Sequence, residues 1–268
     1  VYEYERLIWA ADLKTLYRII KLDNIADHQV SQAINARGQE LSDKTGNDSV
    51  YTLFLGLDLP KEYFSAIATE HFFYTPSRVG QTQVGDIPLT ADREDVEKWL
   101  DKFFALTTYE ISCPVMRDAT LAPANKTGLI ISVLFDYNLT RSIEQAGWYE
   151  AFKSYCQSRM IETLNASIYP GISDAIVHQF SSTPLTLEKY SGNFEGAITG
   201  WALNNKPIPA ESRIPKIMNA VKTPIPGIFQ AGQWTYSPAG LPISLLTGKI
   251  AADQVIKQLG KRRTNRTA

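Results

Sequence analysis

Apolar residues in this chain cluster into short runs separated by polar segments, and the length and spacing of each run indicate its structure. The first run lies within residues 6–12 and predicts a strand. Asp12 is the expected cap of a helix that follows. Apolar residues at helical spacing predict helices from about residue 92 to 106, capped by Thr90, and from about 147 to 164. Further runs predict strands at 50–57, 69–76, 109–114, 129–135, 176–180 and 228–231.

Residues 25–48 break this pattern. They are mainly polar and charged, and residues 35–38 and 45–48 carry the composition of turns. Along the whole chain, strands and helices alternate irregularly. This favours an α/β protein of mixed α+β character, with a mixed sheet and covering helices, over a regular doubly wound fold.

The segment 227–253 predicts a strand, a glycine turn and a helix in direct succession. A buried strand at Ile228–Ala231 is followed by a loop rich in Gly, Ser and Pro, and Pro242 stands where the first helical residue is expected. The apolar residues of that helix recur at helical spacing: Leu245, Leu246, Ile250, Val255, Ile256 and Leu259. Such a corner offers unpaired backbone N–H groups and the positive end of a helix dipole to an anionic or electron-rich ligand. The same geometry also serves a tight connection that binds no ligand.

This segment resembles the C-terminal FAD-contacting motif of the phytoene desaturase family, which includes carotenoid isomerases and retinol-saturase-like proteins among the amine-oxidase-type flavoproteins. The resemblance is carried by Ala231, Gly232, Gln233, Trp234, Tyr236, Pro238, Ala239, Gly240, Gly248, Ala251 and Ala252. It implies a flavoprotein fold with FAD as the cofactor and hydride transfer on carbon–carbon bonds of a hydrophobic, polyene or isoprenoid-like substrate.

The resemblance also implies which residues contact the cofactor and the substrate. The expected cofactor contacts are Gly232, Gln233, Ser237, Pro238, Ala239, Gly240, Leu241 and Ile243. Aromatic residues are expected to line the substrate pocket: Trp234, Tyr236, Trp201 and Phe73. No protein acid or base is assigned, because in this chemistry the flavin itself takes or gives the hydride.

One family feature is absent, since no Gly-x-Gly-x-x-Gly follows a predicted strand in the chain. The resemblance therefore implies the C-terminal portion of a longer flavoenzyme, a piece that would be inactive on its own. The expected domains are the end of the FAD-binding domain at 1–20, a substrate domain at 21–220, the FAD-contacting strand and helix at 221–260, and a basic tail at 261–268.

Composition and charge exclude some classes of binding partner. A formal net charge of −1 provides no general field for nucleic acid. The three histidines and two cysteines share no metal-ligand spacing, so no metal site is expected. We expect a cytoplasmic protein, because no apolar run is long enough to span a membrane and no signal peptide is visible; the basic tail allows peripheral membrane contact.

Two other functions stay open at the level of sequence. One is a non-catalytic module that uses the substrate half of the fold to bind a lipid or a partner protein. The other is a flavin amine oxidase, whose aromatic pair near the flavin could be Trp234 and Tyr236.

Overall fold

The computed structural model describes residues 3–266, and their side chains as far as Gly260. The strands are β1 (Leu7–Trp9), β2 (Ser49–Leu57), β3 (His71–Tyr74), β4 (Tyr109–Ser112), β5 (Thr127–Phe135), β6 (Ile176–Ser182) and β7 (Ile228–Gln230). The α-helices are α1 (Leu13–Ile19), α2 (His28–Ser42), α3 (Lys61–Ser65), α4 (Arg93–Leu106), α5 (Tyr137–Gln145), α6 (Tyr149–Asn165), α7 (Pro184–Ser191), α8 (Ile217–Ala220) and α9 (Leu241–Arg266).

The chain forms two compact units. The first comprises residues up to Asp48 together with those from Leu187 onward, and the second comprises Ser49–Thr186. The first unit is therefore discontinuous in sequence, whereas the second is one uninterrupted segment. The domains expected from the resemblance were drawn by cofactor contact rather than by compactness, and they stay a prediction.

The second unit is built on a five-stranded sheet with the order β3-β4-β5-β2-β6. Every neighbouring pair in it is antiparallel, so the sheet is not of the mixed type that the sequence predicted. Helices α4 and α6 pack against one of its faces. On that face Tyr51, Leu53 and Ile131 alternate with residues that point to the other side, as expected for strands covered on one face only.

The first unit contains the parallel pair β1–β7, in which Leu7 is opposite Ile228 and Trp9 is opposite Gln230. One apolar cluster joins α1 and α2 to the loops near this pair: Leu13, Leu16, Ile34, Leu41, Trp201 and Trp234. A second cluster joins β7 to α8 and α9: Ile217, Val221, Phe229, Tyr236, Ile250 and Ala251.

The strand predictions are confirmed, with boundaries that shift by a few residues. The predicted cap of α4 is wrong: Asp92, not Thr90, caps the helix, since its Oδ1 accepts from Asp95 N at 3.1 Å. An acidic side chain close to the first helical turn satisfies a free N–H that a threonine two residues further away does not reach.

The turn predicted at 35–38 is also wrong, because α2 runs through it, whereas residues 45–48 do lie outside the helices and strands. The buried residues of α2 are Ile34 and Leu41, and the rest of the helix faces solvent or is half-buried. Two buried residues are too few to produce a clear helical repeat, so the helix was not predicted. The Asp27 carboxylate, which accepts from Gln29 N and Val30 N, was the available helix signal.

The apolar face of α9 differs from the predicted one. Ile250 is buried, but Leu245 and Ile256 are 68% and 67% exposed. The helix instead packs through Thr247, Ile250 and Ala251. Because a polar and a small residue occupy the buried stripe, apolar periodicity pointed to the wrong side of the helix.

Two further expectations concern the ends and the membrane. The expected basic tail at 261–268 lies outside the residues whose side chains are described. Within residues 3–266, no helix is both long and apolar enough to cross a membrane.

Candidate functional site

The candidate site lies where β1 and β7 end. The two strands are parallel, so their carboxyl ends lie side by side, and Ala231 N donates to Trp9 O at 2.9 Å just beyond the paired residues. The chain then runs through residues 232–240 into α9. In sheets of this kind, ligands bind beyond the carboxyl ends of parallel strands, so this is the expected place for a cofactor.

Gly232 makes the first turn away from the strand. Its φ of +90° lies in the left-handed region that favours glycine, and its N–H donates to Thr247 Oγ1 at 3.1 Å. A Cβ at this position would meet only Ala10 O, at 3.6 Å. The backbone conformation itself therefore favours glycine at this position.

Gln233 fastens the loop to the segment 197–200. Its side-chain Nε2 donates to Ala197 O at 3.2 Å, and its main-chain carbonyl packs directly against Gly200. The amide that the sequence assigned to the cofactor thus already uses one donor within the protein, while its oxygen can still accept.

Trp201 and Trp234 are brought together in the core of the first unit. Each is 2% exposed, and the rings meet edge to face with their centroids 4.8 Å apart. Trp201 Nε1 donates to Trp234 O at 2.9 Å, and Trp234 Nε1 donates to Asn193 Oδ1 at 3.4 Å. In this conformation both rings hold the loop in place and expose little surface to a substrate.

The other two expected pocket residues lie elsewhere. Tyr236 is 3% exposed in the neighbouring cluster, where its hydroxyl donates to Ser212 O at 2.7 Å. Phe73 belongs to the second unit, on β3, and is 68% exposed beside the ring of His71. The structure thus brings together two of the four aromatic residues.

The accessible part of the corner is its last stretch, from Pro238 to the first turn of α9. Pro238 and Leu241 are exposed, and Ala239, Gly240 and Ile243 are half-buried. The N–H groups of Leu241 and Ile243 lie in the first turn, where an α-helix supplies no internal acceptors, and Pro242 has no N–H. Ser237 is buried, and its N–H donates to Glu211 O at 3.0 Å.

Two polar side chains in or beside the loop are Thr235 and Glu211. Within the described residues, the hydroxyl of Thr235 is buried without a hydrogen-bond partner, and sequence reasoning did not select it. Hydrogen bonds from Arg213, and from the backbone N–H groups of Arg213 and Ser212, lower the pKa of the Glu211 carboxyl below its usual value. No group of three or more His, Cys, Asp or Glu side chains suited to a metal ion occurs between residues 3 and 260.

No known protein-family model matches the chain. Its fold is similar to the crystal structure of an oxidoreductase from Methanosarcina mazei, with a TM-score of 0.50 and 12% sequence identity. The similarity covers 96% of this chain and 43% of that one, so the chain spans less than half the length of the protein it matches. At this identity the likeness concerns the fold alone.

Proposed function

We propose that the chain is the C-terminal portion of an FAD-dependent oxidoreductase that transfers hydride to or from a carbon–carbon bond of a hydrophobic, polyene or isoprenoid-like substrate. The observation that carries the proposal is the corner itself: parallel β1 and β7, a positive-φ glycine at 232, and the open first turn of α9. The oxidoreductase description of the longer Methanosarcina mazei protein agrees with it.

The residues present fit a flavin in part. Gly232 has no side chain, and Ala239 and Gly240 add no bulk at the start of α9. Ser237 and Gln233 are more heavily engaged inside the protein, so we assign the main contacts to Pro238–Leu241 and Ile243.

When bound, FAD supplies the hydride acceptor or donor. The chain's own contribution would be to hold and polarise it. The first turn of α9 would place N–H groups and the positive end of the helix dipole beside negative charge, an effect on the order of 1 kcal/mol. Trp201 and Trp234 would hold the loop in place from its buried side. A substrate would reach their rings only after the loop had moved.

The test is flavin content. The protein purified at its natural length is expected to show a flavin absorption spectrum, and Gly240→Glu is expected to abolish it because the carboxylate would fill and repel the cofactor site. Gly260→Glu is the control, since it adds the same charge on α9 far from the corner, where nothing lies within 4 Å of the new Cβ.

Two results would contradict the proposal. One is equal flavin content in both variants, provided that circular dichroism shows both to be folded. The other is a wild-type protein that holds no flavin even after incubation with FAD.

A non-catalytic lipid-binding module is the second candidate, because the uncovered face of the sheet in the second unit carries aromatic surface. Phe54 and Phe180 stack there with centroids 4.6 Å apart, and Phe180 is 52% exposed. Co-sedimentation with phosphatidylcholine vesicles that is lost in Phe180→Ser, in a protein without flavin, would favour this function.

A further inference from the structure

A cleft of about 660 Å³ lies among α1, α2, the end of α7 and the residues that follow it. All of its lining residues belong to the first unit, and none of them is among the expected flavin contacts. The volume lies within the usual range of small-molecule sites, roughly 300–1,000 Å³. The cleft is therefore large enough for a small molecule and is separate from the proposed flavin site.

Two cationic side chains stand one turn apart on α1 at the wall of this cleft, Lys14 and Arg18. Lys14 Nζ donates to Ser42 O at 3.1 Å and lies 3.6 Å from the centre of the Phe194 ring. An ammonium group has three N–H donors, and the bond to Ser42 O uses one of them, so donors remain for a ligand. Arg18 Nη2 donates to Thr15 Oγ1 at 3.2 Å and retains further donors.

The side chain of Lys14 is half-buried. Burial lowers the pKa of its ammonium group, and the nearby carboxylates of Glu195, Asp12 and Asp43 act in the opposite direction. An anion in the cleft would add to the effect of those carboxylates and favour the charged lysine.

Two acidic residues also line the cleft, Asp12 and Glu188. Both carboxylate oxygens of Asp12 are already engaged, since Oδ1 accepts from Thr15 N at 2.6 Å and Oδ2 accepts from Phe194 N at 3.1 Å. These bonds hold the wall that carries Phe194 against α1. Glu188, on α7, supplies a second carboxylate at the cleft wall.

The other lining residues suit a planar ligand with polar edges better than an inorganic ion. Asn35 and Gln39 line the cleft one turn apart on α2, and their amides can both donate to and accept from the edge of a heterocycle. The rings of Tyr17 and Phe194 add aromatic surface on which such a body can pack.

We propose that this cleft binds a phosphate monoester of a planar heterocycle, of the nucleoside monophosphate class. Lys14 and Arg18 contact the phosphate, Asn35 and Gln39 contact the edge of the heterocycle, and Tyr17 and Phe194 pack against its body. The site belongs to the same unit as the flavin corner but shares no contact residue with it.

The experiment is isothermal titration calorimetry of the whole chain with adenosine monophosphate, adenosine and inorganic phosphate. Adenosine monophosphate should bind with one-to-one stoichiometry. Adenosine and inorganic phosphate should each bind at least about ten-fold more weakly, because each lacks one set of charged or polar contacts. Binding of inorganic phosphate as tight as that of adenosine monophosphate would overturn the proposal.

Substitutions locate the site. Lys14→Met and Arg18→Met should each weaken binding of adenosine monophosphate by about ten-fold or more. Lys21→Met is the matched control, since Lys21 is exposed, follows α1 and does not line the cleft. Arg18 is also exposed, so its replacement keeps the fold even if that of Lys14 disturbs Phe194.

Unchanged affinity in Arg18→Met, or an equal loss in Lys21→Met, would overturn the assignment. Flavin content is expected to stay unchanged in Arg18→Met. A failure of this proposal can therefore be distinguished from a failure of the flavin proposal.

Discussion

At Gly200 the backbone leaves no space for a side chain. Its φ is +76°, and a Cβ would lie 2.2 Å from Gln233 O, an atom that cannot move without displacing the candidate flavin loop. We expect Gly200→Ala to lower the free energy of unfolding by roughly 3 kcal/mol or more, since left-handed strain and a clash with backbone add together. Urea denaturation measures this loss.

Gly192→Ala separates the two causes. Gly192 lies in the same unit with φ +71°, but nothing stands within 4 Å of the new Cβ, so only the left-handed strain of about 1–2 kcal/mol is expected. Equal losses in the two variants would show that the contact with Gln233 has no effect on stability.

The two cysteines differ from reactive thiols in their burial. Cys113 is 2% exposed and burial raises the pKa of its thiol to about 11, while Cys156 is fully buried with its pKa also raised. A raised pKa leaves little thiolate at pH 8, and the thiolate is the form that reacts. Native protein should therefore resist iodoacetamide, whereas urea-unfolded protein should take up two equivalents by mass spectrometry. Rapid labelling of either cysteine before unfolding would contradict this expectation.

At the scale of the element, α9 is a helix whose buried side is set by packing rather than by apolar periodicity. Ile250 is 6% exposed and contacts the cluster around Phe229, whereas Leu245 is 68% exposed. We expect Ile250→Ala to cost about 2–4 kcal/mol of stability and Leu245→Ala to change it by no more than about 0.5 kcal/mol. Thermal or urea unfolding of the two variants checks this, and a larger loss in Leu245→Ala would support the face predicted from sequence.

The same helix shows what could be read from the sequence at the candidate site. The strand at 228–231, the glycine turn and a helix beginning near Pro242 were predictable because each depends on a few adjacent residues. The hydrogen bond from Gly232 N to Thr247 Oγ1 was not, since it depends on the position of α9 against the loop. The burial of Trp201 with Trp234 likewise joins segments that local patterns do not connect.

At the scale of the whole molecule, local patterns predicted most strands but did not predict that the chain forms two compact units. The first unit depends on pairing between Leu7 and Ile228, which stand at opposite ends of the sequence. The cleft on α1 and α2 was missed for a related reason. Its wall residues come from α1 and α2, from short stretches beside α1 and from residues 188–194, and α2 was not predicted as a helix.

The second unit has the form of a domain inserted into the first. Its chain enters at Ser49, at the start of β2, and leaves at Thr186, four residues after the end of β6. These strands are antiparallel neighbours, with Thr52 opposite Ser182, so entry and exit lie side by side. Adjacent termini and a continuous core of its own are the properties of an independent domain.

We therefore expect residues 49–186, expressed alone, to unfold cooperatively in urea and to show a dispersed amide NMR spectrum. Leu53→Ala in this segment should lower stability by about 2–5 kcal/mol, as it should in the whole chain, because Leu53 is fully buried within the segment's own core. A segment that remains unfolded while the whole chain folds would contradict the expectation. Such a result would mean that residues outside 49–186 supply part of the stability of this core.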